Sequence, residues 1–130
     1  MTSGTLLATA TLLAVGLLNA VPVVGIASAD QLARLYGIEP PGGDLLILLR
    51  HRALLFGLLG GFLIASAFVP SWQGPAITLA LLSMVGFVVF ALLEGSYGAP
   101  LRKIVIADVV GTAALLALVG ARLGVGVTLR

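Results

Sequence analysis

Cysteine is absent from the 130 residues. This excludes disulfides, thiolate metal sites and thiol redox chemistry, and leaves the compartment open. Charge is scarce too: Asp, Glu, Lys and Arg make up 9% of the chain, against about 25% in ordinary soluble domains. With 60% of residues hydrophobic, so few charges cannot shield a domain this small from water, and the solvent for most of the chain is lipid. The net charge of +2 and the lack of a dense basic run argue against a nucleic-acid partner. One histidine with no cysteine beside it offers no ligand set for a metal or haem. No Gly-rich phosphate loop, H-E-x-x-H or G-x-S-x-G occurs, so neither a cofactor nor a known catalytic motif is expected.

What the chain has is long apolar runs. A transmembrane helix needs about 20 mostly apolar residues to cross roughly 30 Å of hydrocarbon. Four stretches qualify: about Thr5 to Ala27, Leu45 to Val69, Ala76 to Leu93 and Leu101 to Ala121. They are continuous and rich in Leu and Ala instead of alternating, which argues against strands. The backbone must satisfy itself in lipid, so the expected fold is all-α: an integral membrane four-helix bundle, one domain over residues 1–130. A short interfacial helix is expected between the first two spans, capped by Ser28, running through Leu35 and stopped by Gly37. Leu32, Leu35 and Tyr36 form its apolar side, and Asp44 is the expected N-cap of the second span. Ala27-Ser28-Ala29 looks like a signal-peptidase site. The preceding run lacks Lys or Arg before Thr5 and is longer than a usual signal core, so the first span is expected to be retained.

The end of the bundle holding the first and third loops is termed end B, and the opposite one end A. End B carries Arg34, Arg50, Arg52, Arg102 and Lys103, and end A carries Arg122 and Arg130. The positive-inside rule then puts end B in the cytoplasm and both termini outside, in a multi-pass protein of the cytoplasmic (inner) membrane. Membrane lipid is the expected partner, and homo-oligomer formation stays open.

Polar residues within spans are costly and mark functional sites by default. Here they gather toward end B: Asn19 in the first span, Arg50, His51 and Arg52 in the second, Glu94 and Tyr97 at the close of the third, and Asp108 in the fourth. At 1.5 Å per residue, Asp108 lies roughly 9 Å below Arg102 and Arg50 a similar depth below Asp44. At about 100° per residue, Arg50 shares a face with Leu54, Gly57 and Gly61, and Arg52 points about 200° away. Gly57 and Gly61 make a G-x-x-x-G pair, which admits a neighbouring helix. Arg50 is therefore expected inside, paired with Asp108, and Arg52 outside, snorkelling toward headgroups. Asp108, Glu94 and His51 are the candidate proton-transfer residues, and Arg50, Asn19 and Tyr97 the candidate ligand-binding ones.

The four-span layout, the segment from Arg50 through Gly61 and Ala107-Asp108-Val109-Val110-Gly111 resemble small bacterial membrane proteins of the DoxX-like kind. That resemblance implies a four-helix bundle in a bacterial membrane and no particular activity. Some similar proteins carry a phosphopantetheine adenylyltransferase name, but this chain lacks that enzyme's nucleotide-binding fold and His-rich phosphate motif. A second likeness, to four-span glutathione and eicosanoid enzymes, stops after Arg52, where their Asn and Glu motif is missing.

The expected function is a pocket at end B that binds or transforms a small lipophilic molecule with a polar head. The alternative is a scaffold whose buried charges only specify helix pairing. An ion pathway ranks last, because the end-A halves offer only Ser66, Ser83 and scattered threonines.

Overall fold

The structure, a computed structural model, describes residues 2–128, with side chains through Gly124. Arg130 lies outside the described residues. Five α-helices follow in order: α1 (Ser3–Ala20), α2 (Ala29–Tyr36), α3 (Gly43–Ser66), α4 (Gln73–Glu94) and α5 (Ala99–Thr128). Four segments are long and apolar enough to cross a membrane, Ser3–Ile26, Gly43–Ser66, Pro70–Glu94 and Ala99–Gly124. The expected all-α bundle of four long helices and one short one is present.

Local chemistry explains the breaks. Pro22 has no N–H to continue the α1 ladder, and the chain tightens into a 3-10 segment, Val21–Ile26. Ser28 then caps α2, its Oγ accepting from the Gln31 N–H at 3.2 Å. Gly37 ends α2 at φ 65°, a left-handed conformation that a side chain would strain. The expected cap of α3 is displaced. Gly42 holds the cap position in extended backbone, and Asp44 falls in the first helical turn, where its charge suits the helix dipole.

The long helices form a ring in which α1 packs on α3 and α5, and α4 packs on α3 and α5. Each contributes a large, fully buried apolar side chain to the centre: Leu12, Leu63, Met84 and Leu115. Leucines such as Leu58, Leu82, Leu92 and Leu116 remain exposed around the outside. This inversion suits a chain whose solvent is lipid. End A is tied by Gln73, whose Nε2 donates to the Ser66 carbonyl at 3.0 Å and whose Oε1 accepts from Arg122.

The α1–α3 contact corrects the expected glycine pair. Gly61 is exposed, and a Cβ there would meet nothing within 4 Å. Gly57 does face a neighbour, Val23, but the intimate contact belongs to Gly60. A Cβ on Gly60 would stand 2.6 Å from the Gly16 carbonyl and 2.7 Å from the Ala20 nitrogen. Backbone therefore lies on backbone, with Gly16 and Ala20 supplying the small-xxx-small face on α1. This contact turns α3 so that Ala53, Gly60 and Leu63 are buried and Arg50 is exposed.

The short helix is built into the bundle. Leu32 is fully buried against Gly25, where an added Cβ would come within 2.5 Å of it. Packing of this kind sets α2 across the end-B mouth of the ring.

Candidate functional site

Beneath α2 lies a cavity of about 200 Å³. Its polar lining is Asn19, Tyr36, Arg52, Lys103 and Asp108, drawn from α1, α2, α3 and α5. The rest is apolar, including Leu18, Pro22, Leu35, Phe56 and Ile104. A mostly apolar chamber with a few convergent polar groups is the usual form of a small-molecule site.

Arg52 enters because of the rotation set by Gly60. It stands nine residues into α3 and Asp108 nine residues into α5, each about 13 Å along its helix. The Arg52 Cζ lies 4.7 Å from the Phe56 ring centre, 5.2 Å from that of Phe87 and 5.9 Å from that of Tyr36. Its Nε donates to the Tyr36 hydroxyl at 3.3 Å. Three aromatic faces stabilise a half-buried guanidinium through their quadrupoles, and among the described residues its terminal N–H groups have no protein acceptor.

Asp108 is 6% exposed, yet no hydrogen bond or ion pair reaches it among the described residues. Its contact is with the cavity. Asn19, 3% exposed, uses its amide nitrogen twice, donating to the Val15 carbonyl at 2.9 Å and toward the Met84 sulfur at 3.7 Å. Its carbonyl oxygen has no protein donor among the described residues, and the side chain lines the cavity. The chamber thus offers acceptors at Asp108 and Asn19 and donors at Arg52 and Lys103, with the Tyr36 hydroxyl able to serve as either.

Of the residues singled out from sequence, Asp108 and Asn19 come together here. Arg50 does not: it is exposed, and the expected Arg50–Asp108 pair does not form, because the α1–α3 contact turns it outward. His51 is exposed and lines a groove on the outer side of α3. Glu94 is exposed where α4 closes, and Tyr97 is half-buried in the turn that follows; neither lines the cavity. Arg52, expected to point outward to headgroups, and Tyr36, expected on the apolar side of the short helix, line the cavity instead, together with Lys103. The available signal was the stripe Arg52, Phe56, Leu59 and Leu63, which places an arginine and an aromatic one turn apart on a single face. Among the described residues no three His, Asp or Glu side chains converge.

No protein-family model, curated protein or solved structure compared with this chain matches it. The fold itself, four helices long and apolar enough to span a bilayer, supports the class of multi-pass helical membrane proteins.

Proposed function

We propose that this chain binds a small lipophilic molecule with a polar head, and that the head sits in the cavity beneath α2. The observation that carries the reading is Asp108, a side chain only 6% exposed that no protein donor reaches among the described residues, facing the same chamber as Arg52. Buried polar groups are nearly always satisfied, so such a group calls for an outside donor. A hydroxyl-type head meets the lining well. It donates to Asp108 or Asn19 and accepts from Arg52, Tyr36 or Lys103. Asp108 is then the group placed to exchange a proton with the head, should binding lead on to chemistry.

The scaffold alternative has less support, because it needs the buried charges in direct contact and among the described residues no such pair joins Asp108 to an arginine. The four-span layout also agrees with the DoxX-like resemblance, and with it a bacterial inner membrane, end B facing the cytoplasm.

Mass spectrometry of molecules retained by purified protein tests the reading. Wild type should carry a small amphiphile that both Asp108→Leu and Arg52→Gln lose. Equal retention by all three proteins would sink it.

A further inference from the structure

The head cavity, at about 200 Å³, is smaller than the roughly 300–1,000 Å³ of a site that encloses a whole drug-sized ligand. A long apolar tail has to lie elsewhere. On the far side of Arg52 a groove of about 390 Å³ runs between α3 and α4, lined by Leu48, His51, Leu55 and Leu59 with Ser83 opposite. Arg52 and Phe56 line both spaces, so the two adjoin at these side chains. Toward end A a second hollow of about 430 Å³ adjoins it, sharing Leu59 and Ser83 and adding Leu58, Phe62 and Leu79. From Leu48 to Phe62 the channel extends along α3 for about 21 Å.

Its chemistry is graded along that length. The end-B portion carries His51 and Arg52, whereas the remainder is leucine and phenylalanine with one serine. That gradient complements an amphiphile whose polar end points to end B. Among the described residues Arg52 is held by one side-chain hydrogen bond and by ring faces, with no ion pair to break, so a head can displace it.

We propose that the ligand is a membrane amphiphile with one linear chain. The chain lies in the α3–α4 groove while the hydroxyl-type head reaches the cavity past Arg52 and Phe56. This rests on the reading that the cavity takes a polar head, and adds that access is lateral, from the lipid phase.

The test uses full-length protein in phosphatidylcholine vesicles and two photoreactive alcohols. One is hexadecanol with a diazirine midway along its chain, and the other a diazirine-bearing butanol that is little more than a head. Hexadecanol should label Leu55, Leu59, Phe62 and Leu79, and Leu59→Trp, which fills the groove, should cut that labelling roughly tenfold. Leu116→Trp, a control at an exposed site on α5, should leave it unchanged. Butanol should label the cavity in wild type and in Leu59→Trp alike. If butanol labels the cavity while hexadecanol marks all lipid-facing helices evenly, or ignores Leu59→Trp, this inference fails and the head site stands. If neither alcohol labels the cavity, both readings fall.

Discussion

Asp108 and Arg52 share a chamber without touching, and that separation sets what substitution should do. A carboxyl held largely out of solvent, with no protein donor beside it among the described residues, weakens the fold that holds it. Asp108→Leu should therefore raise the melting temperature of ligand-free protein in detergent while abolishing ligand retention, a trade typical of functional sites. A fall in melting temperature would show instead that Asp108 holds helices together. Arg52 has the opposite character. Its planar guanidinium lies against Phe56, Phe87 and Tyr36, and an ammonium group cannot reproduce that stacking. Arg52→Lys should cost about 1–2 kcal/mol, whereas Arg50→Lys, at an exposed position, should leave thermal unfolding unchanged. Equal melting temperatures for the two variants would remove Arg52 from the inner wall.

The element on which the site depends is the α1–α3 pair. Gly16 and Gly60 bring two backbones together, and that contact, through the rotation of α3, decides which arginine enters the chamber. A side chain at Gly60 has no void to fill. Gly60→Leu should cost at least the roughly 1–3 kcal/mol of an overpacked core and turn Arg52 away from Asp108, whereas Gly61→Leu should fold normally. Thermal unfolding of the two variants side by side gives the answer, and the reverse order of stability would mean that α3 is rotated from the orientation described. The short α2 depends on Leu32, fully buried under Gly25. Leu32→Ala should destabilise by about 2–5 kcal/mol and loosen the roof. Proteolysis in the Ser28–Gly42 segment should speed up in that variant; unchanged rates would show that α2 is held by other contacts.

Across the whole molecule the two ends differ in kind. Leu12, Leu63, Met84 and Leu115 close the middle, Gln73 ties end A, and Arg52, Lys103 and Asp108 line the chamber at end B. The loop at Gly42 and the turn at Ser71 lie at opposite ends of α3. With end B toward the cytoplasm, an impermeant thiol reagent applied outside intact cells should label Ser71→Cys and leave Gly42→Cys untouched. Labelling in the reverse pattern would invert the orientation, and labelling of both from one side would contradict a spanning α3.

Composition and run length by themselves determined that the chain is helical, that it has four long apolar helices, and that Ser28 and Gly37 bound a short fifth. These features follow from backbone hydrogen bonding and local caps, which act within a few residues. Depth along each helix was legible as well, since 1.5 Å per residue needs no partner, and so Asn19 and Asp108 were placed in one layer. Rotation about each helix axis was not. With mean apolarity high on every side of α3, no polar stripe marks its inner face. Gly57, Gly60 and Gly61 offer more than one packing register, and only the backbone of α1 selects among them. That selection put Arg52 inside and Arg50 outside, because the face that a lipid-solvated helix buries is set by close packing against its neighbour instead of by avoidance of water.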